Sequence, residues 1–128
     1  LLTVMDAEDL EKPMTGERYD EFHHFVENII TGKTERVARI KVWSKDGTVI
    51  YSDEASGVGE TFPIQEHLRE ALAGGVSFEI EVPDGAENER NQFLGTLMEI
   101  YSPIIFDGSD EPQGAFEIYQ YYQPTATA

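Results

Sequence analysis

Apolar positions along this chain follow two different periods, and the places where the period changes mark out its elements. Beyond Thr15, the residues Tyr19, Phe22, Phe25, Val26, Ile29 and Ile30 recur at helical spacing, with Glu17, Asp20, Glu21 and Glu27 mostly off that stripe. Thr15 can cap this helix and Gly32 can stop it. Ahead of it, Asp6 to Lys12 can form a short helix capped by Asp6 and ended by Pro13. From Arg36 the spacing becomes that of a strand. Ala38, Ile40 and Val42 alternate with Val37, Arg39, Lys41 and Trp43, and Asp46-Gly47 then signals a hairpin into a return strand, Thr48 to Ser52. A two-residue loop there would pair Lys45 with Thr48, Trp43 with Ile50 and Val42 with Tyr51. One sheet face then carries Ala38, Ile40, Val42, Val49 and Tyr51. The other carries Arg39, Lys41, Trp43, Ile50 and Ser52.

Asp53 to Glu60 reads as a loop, and Pro63 suits the first turn of a second helix whose buried stripe is Ile64, Leu68, Ala71 and Leu72. Gly74-Gly75 ends it. A third strand alternates Val76, Phe78, Ile80 and Val82 with Ser77, Glu79 and Glu81, and the polar run from Pro83 to Gln92 reads as a solvated loop. Phe93 to Ile105 predicts a long strand, Phe106 to Gln113 a turn region, and Gly114 to Tyr122 a last strand. The order is helix, strand, strand, helix, strand, strand, strand. It predicts an α+β domain with a five-stranded antiparallel sheet in the order 2-1-5-4-3, the first helix on one face and the crossover helix on the other, where it can enclose a cavity. The expected organisation is an N-terminal helical segment over 1–34, a core over 35–123 and a tail over 124–128.

Composition narrows what such a domain can do. At 128 residues and 40% apolar content the chain can build one modest core. Nine Lys+Arg against 25 Asp+Glu gives a net charge of −16, a field that repels phosphate backbones and argues against nucleic acid as a partner. The same acidity fits a surface adapted to high salt, or a domain kept off anionic membranes. Cysteine is absent, which excludes disulfides, thiolate metal sites and a cysteine nucleophile. No apolar run is long enough to span a bilayer, and no signal-peptide pattern is visible. Because the chain begins with Leu1-Leu2, an excised or processed piece is expected.

Catalytic and metal-binding motifs are weak. Adjacent histidines such as His23-His24 point about 100° apart on a helix and cannot chelate one ion together, so a surface role is expected for them. His67, beside the second helix's stripe, reads as a partly buried packing residue. The Asp107, Ser109, Asp110, Glu111 run lacks the ligand spacing of a calcium loop and reads as a hairpin tip. Gly57 and Gly59 lead into Glu60-Thr61, an anion where a phosphate loop needs a lysine. No nucleophile elbow is present. No catalytic residue, metal or cofactor is therefore assigned.

The most informative feature is a sheet face of mixed character. Arg39, Lys41 and Trp43 share it on the first strand, Glu117, Tyr119 and Tyr121 share a face on the last, and Leu97, Glu99 and Tyr101 share one on the strand before. Should those faces coincide, cations, carboxylates and phenols converge beneath the second helix. Arg39, Lys41, Trp43, Glu99, Tyr101, Glu117, Tyr119 and Tyr121 are accordingly the candidate ligand-binding residues, suited to a small polar or anionic ligand. The competing reading is that Arg39 and Lys41 pair across strands with Glu117 and Glu99 as ordinary sheet contacts.

Several stretches resemble the extracytoplasmic PAS-like (Cache or PDC) sensor domains of bacterial membrane receptors. They are Arg39-Ile40-Lys41-Val42-Trp43 with Asp46-Gly47-Thr48-Val49-Ile50-Tyr51-Ser52-Asp53, then Val58-Gly59-Glu60 and Ala71-Leu72-Ala73-Gly74. Glu99-Ile100-Tyr101-Ser102-Pro103-Ile104 and Gly114-Ala115-Phe116-Glu117-Ile118-Tyr119 complete the set. The resemblance covers about Arg36 to Gln123, and the order of the pieces is its specific part. It implies a long N-terminal helix, a membrane-anchored parent chain and an extracytoplasmic (periplasmic) address. It also implies a small-molecule ligand and output through a histidine kinase, diguanylate cyclase or chemotaxis domain elsewhere in that parent, with a homodimer through the N-terminal helix. Two alternatives come from other classes. One is a small cytosolic α+β enzyme or cofactor-binding domain drawing an acid–base pair from Glu99, Glu117 or His67. The other is a ligand-free dimerisation module.

Overall fold

The computed structural model describes residues 5–30, 37–81 and 97–121. Gly32, Val82, the Pro83 to Gln92 loop, the beginning of the fourth strand at Phe93 and Tyr122 lie outside the described residues. The chain enters through a 3-10 turn, Ala7–Leu10, where Asp6 and Asp9 accept each other's backbone N–H in a reciprocal cap. Helix α1 then spans Gly16–Ile30. At 15 residues it makes about four turns, so the long N-terminal helix implied by the resemblance is not seen. Pro13 and the left-handed Gly16 (φ 59°) separate it from the turn before.

Five strands follow around one short helix: β1 Val37–Ser44, β2 Val49–Ser52, α2 Glu66–Leu72, β3 Ser77–Glu81, β4 Leu97–Ile104 and β5 Gly114–Tyr121. They form one antiparallel sheet in the order β2-β1-β5-β4-β3. The α+β class and strand order are those expected from the element order. Pro63 falls outside α2. Gln65 holds an extended conformation as its N-cap, so Phe62 and Ile64 pack on the core from the preceding loop instead. At the other end Gly74 (φ 103°) closes the helix as expected, its N–H donating to the Ala71 carbonyl.

The β1–β2 hairpin departs from expectation in an instructive way. Its loop has three residues, Lys45, Asp46 and Gly47, because Ser44 N–H donates to the Thr48 carbonyl at 2.9 Å. The extra loop residue shifts the pairing by one, so Trp43 faces Val49. A bulge between Val42 and Trp43 then restores Val42 opposite Tyr51. The expected Lys45–Thr48 and Trp43–Ile50 pairs are therefore replaced. Val49 joins the Trp43 cluster, and Ile50 joins the core that contains Val42. A second irregularity, between Val37 and Arg39, does the same to Ala38, which packs with Leu97 and Tyr119 while Val37 joins Ile40 and Val42.

Two apolar clusters result. Phe22 and Val26 of α1 pack with Ile40, Val42, Tyr51, Ile104 and Phe116. Leu68 and Ala71 of α2 pack with Trp43, Val49, Tyr101 and Ala115. No helix among the described residues is long and apolar enough to cross a membrane.

Candidate functional site

Three central strands bring the mixed faces together. Register places Arg39 opposite Tyr119 and Tyr119 opposite Glu99, while Lys41 faces Glu117 and Glu117 faces Tyr101. Alternation puts the members on each strand on one side, and these registers bring the sides of the three strands together. Arg39, Lys41, Glu99 and Glu117 are all buried, Glu117 completely. Two cations and two carboxylates inside so small a domain are unusual, because desolvating each costs on the order of several kcal/mol unless partners compensate.

Part of that compensation is visible. Glu117 Oε1 accepts from the Trp43 indole N–H at 2.7 Å, whereas Oε2, also buried, has no hydrogen-bond partner among the described residues. The Tyr101 hydroxyl donates to Glu99 Oε1 at 3.3 Å. Arg39 lies over the Tyr119 ring at 5.6 Å and Lys41 lies over it at 5.4 Å, so one phenol ring serves two cations. The Arg39 guanidinium donates through Nη2 to Ser52 Oγ at 2.9 Å and through Nε to Asp53 Oδ1 at 3.3 Å. Asp53 Oδ1 also accepts the Ile40 N–H, tying the end of β2 to β1.

No protein-family model matches this chain, and no curated protein is significantly similar to it.

Seven of the eight candidate residues thus lie buried on one face: Arg39, Lys41, Trp43, Glu99, Tyr101, Glu117 and Tyr119. Tyr121 ends β5 opposite Leu97 and is 43% exposed, outside the buried group. Helix α2 covers the Trp43 end of this face, where a void of about 10 Å³ remains among Trp43, Phe62, Leu68 and Tyr101. That is room for about one water. A groove of about 520 Å³ lies elsewhere, between Ala7–Pro13 and the hairpin end at Ser44–Thr48, and none of the eight candidates lines it.

Some of the machinery was not foreseen. Ser52, expected on the face of Arg39, is its partner there, whereas Asp53, expected in the loop, is an added one; its signal is position, since the hairpin brings the end of β2 back beside Arg39. His67 stacks on Tyr101 (centroids 6.0 Å apart), contacts Ser77 Oγ through Nδ1, and meets Glu79 through Nε2 at 3.2 Å. It therefore packs, as expected, and also links α2 to the edge strand. His23 is no simple surface residue. Its Nδ1 lies 2.7 Å from the Tyr51 hydroxyl and its Nε2 lies 2.8 Å from Glu27, while His24 is exposed. Beside it, burial and the charge of Asp53 push the Tyr19 phenol up to about 12. Burial, then Tyr19 and Asp53, push the Tyr51 phenol up as well.

Proposed function

We propose that this chain is a sensory module of PAS-like architecture, displayed outside the cytoplasmic membrane as part of an anchored parent protein, and that it takes a small ligand on the face beneath α2. The observation that carries this reading is the buried Glu117, with one oxygen held by Trp43 and the other without a partner among the described residues, on a face that also buries Arg39 and Lys41. A sheet needing only a core would fill those positions with apolar side chains at less cost. The strand order supports it, as does the division of contacts, with α1 on Val42 and its neighbours and α2 on Trp43 and its neighbours. Fold alone does not carry function; the polar face does.

The small void gives the reading a mechanism. A ligand larger than a water can enter beside Trp43 and Tyr101 only if α2 and the Phe62–Gln65 loop move away from the sheet. Binding is then coupled to displacement, which is the property a relay requires. The movement reaches β5 through Ala115 and Glu117, and from β5 reaches β1, on which α1 packs. Helix α1 packs Phe22 and Val26 on the sheet and turns Glu17, Asp20, Glu21 and Glu27 outward; two copies of that acidic face would repel, so the relay is assigned to a single chain and not to a homodimer through α1.

A thermal-shift screen with small carboxylates, amino acids and divalent ions tests the proposal. A true ligand at a hundred times its dissociation constant stabilises by about 2.7 kcal/mol. Arg39→Ala should abolish the shift for an anionic ligand. No response across the panel, or a parent reading frame without flanking apolar segments, would sink the sensor reading, and the former would favour a ligand-free structural module.

A further inference from the structure

Strand β3 is the outer strand of the sheet, with β4 on one side and no described strand on the other. Together with Val76 just before it, β3 exposes large apolar side chains to a degree unmatched elsewhere among the described residues: Phe78 is 66% exposed, Val76 62% and Ile80 44%. Isolated exposed apolar residues are ordinary, but three at alternate positions on a sheet edge form a stripe beside a ladder of N–H and C=O groups that no described strand pairs. Phe78 faces Ile100 and Ile80 faces Met98 across the β3–β4 pair, so the stripe continues inward over half-buried apolar neighbours. The intervening positions have the opposite character. Ser77 is buried against His67, and the Glu79 side chain is 45% exposed.

We propose that β3 docks an extended, basic segment of another protein, one in which apolar residues alternate with Lys or Arg. Such a segment adds a sixth strand to the sheet. Its main chain hydrogen-bonds the outer edge of β3, its apolar residues extend the Phe78–Ile80 stripe, and its cations lie on the Glu79 side. Charge selects this occupant over a second copy of the chain. Antiparallel self-pairing centred on β3 sets Glu79 directly against Glu79, a destabilising like-charge pair, and brings together two chains of net charge −16. The inference is independent of the sensor reading, because β3 presents its exposed stripe away from Ser77 and His67.

The test uses the full chain and fluorescence-labelled synthetic peptides read by anisotropy. A peptide alternating lysine with valine should bind, and one of identical composition arranged at helical period should bind at least about tenfold more weakly. Phe78→Ser, at a site already exposed, should keep the fold by circular dichroism and weaken the alternating peptide about tenfold. Glu79→Gln should weaken it less and reduce its dependence on salt. Failure of the alternating peptide to bind, equal binding of the rearranged one, or unchanged affinity in Phe78→Ser would overturn the proposal. So would sedimentation showing a dimer of the unmutated chain that Phe78→Ser dissociates, which would make the occupant a second copy. Should Phe78→Ser fail to fold, the comparison of the two peptides on the unmutated chain decides.

Discussion

The indole N–H of Trp43 on β1 donates to the carboxylate of Glu117 on β5 at 2.7 Å, across a sequence separation of 74 residues. Both groups are buried, so this bond joins the apolar cluster under α2 to the charged face beside it. Removing the donor leaves a buried carboxylate with both oxygens unsatisfied. Trp43→Phe should therefore destabilise by about 2–4 kcal/mol, of which a charged hydrogen bond accounts for about 1.5–3 kcal/mol. Glu117→Leu removes the charge together with its need for a donor. In a double-mutant cycle by urea denaturation, Trp43→Phe should cost much less in the Glu117→Leu background. Strict additivity would mean that the bond contributes nothing beyond packing.

Arg39 should matter to stability whether or not a ligand binds. It bridges Ser52 and Asp53 while covering the Tyr119 ring, so Arg39→Ala frees a largely buried carboxylate and an aromatic face together. The expected loss is about 2–4 kcal/mol, near the lower end for breaking a buried pair because Asp53 keeps some solvent contact. Arg39→Lys should recover only part of it, since a lysine cannot reproduce the two-direction fork. Chemical denaturation of the three proteins measures this.

Alkaline stability should depend on Tyr19. Its hydroxyl donates to the Ser52 carbonyl at 2.9 Å, and its pKa lies at about 12 against an ordinary 10.0. The folded state thus favours the protonated phenol. That contribution is intact below pH 10.0 and is lost as pH rises toward about 12. Tyr19→Phe should be less stable than the parent at neutral pH, and the gap should close across that window. Stability curves taken from pH 8 to 12 (about one unit apart) that stay parallel would contradict the assignment.

Gly47 should resist substitution. It closes the three-residue hairpin loop at φ 87°, and a Cβ there would run into the Phe62 carbonyl oxygen, whose residue already accepts room beside the loop by donating its N–H to the Gly47 carbonyl. Left-handed backbone costs a side chain about 1–2 kcal/mol before any clash, so Gly47→Ala should lose about 2 kcal/mol or more. Gly108, also left-handed at φ 84° but with open space around it, is the control; Gly108→Ala should cost only the backbone penalty.

Local periodicity fixed the identity of most elements and, strand by strand, which charged and aromatic side chains share a side; that the three strands turn those sides to one face came from their register. Period-two alternation is a local property, so Arg39, Lys41 and Trp43 had to share one side of β1, and Glu117 and Tyr119 one side of β5. The order of elements restricted the sheet to few arrangements, and the observed one was among them. Tertiary structure decided the rest. Whether Val49 or Ile50 joins Trp43 turned on one extra loop residue and a compensating bulge, and Ala38 changed company through a second irregularity. Those shifts depend on how two strands meet, which alternation along either strand cannot register. The partners of Arg39, the Trp43–Glu117 bond and the exposed stripe on β3 belong to the same class. Each is a statement about what lies across a gap, and only the folded chain brings the two sides together.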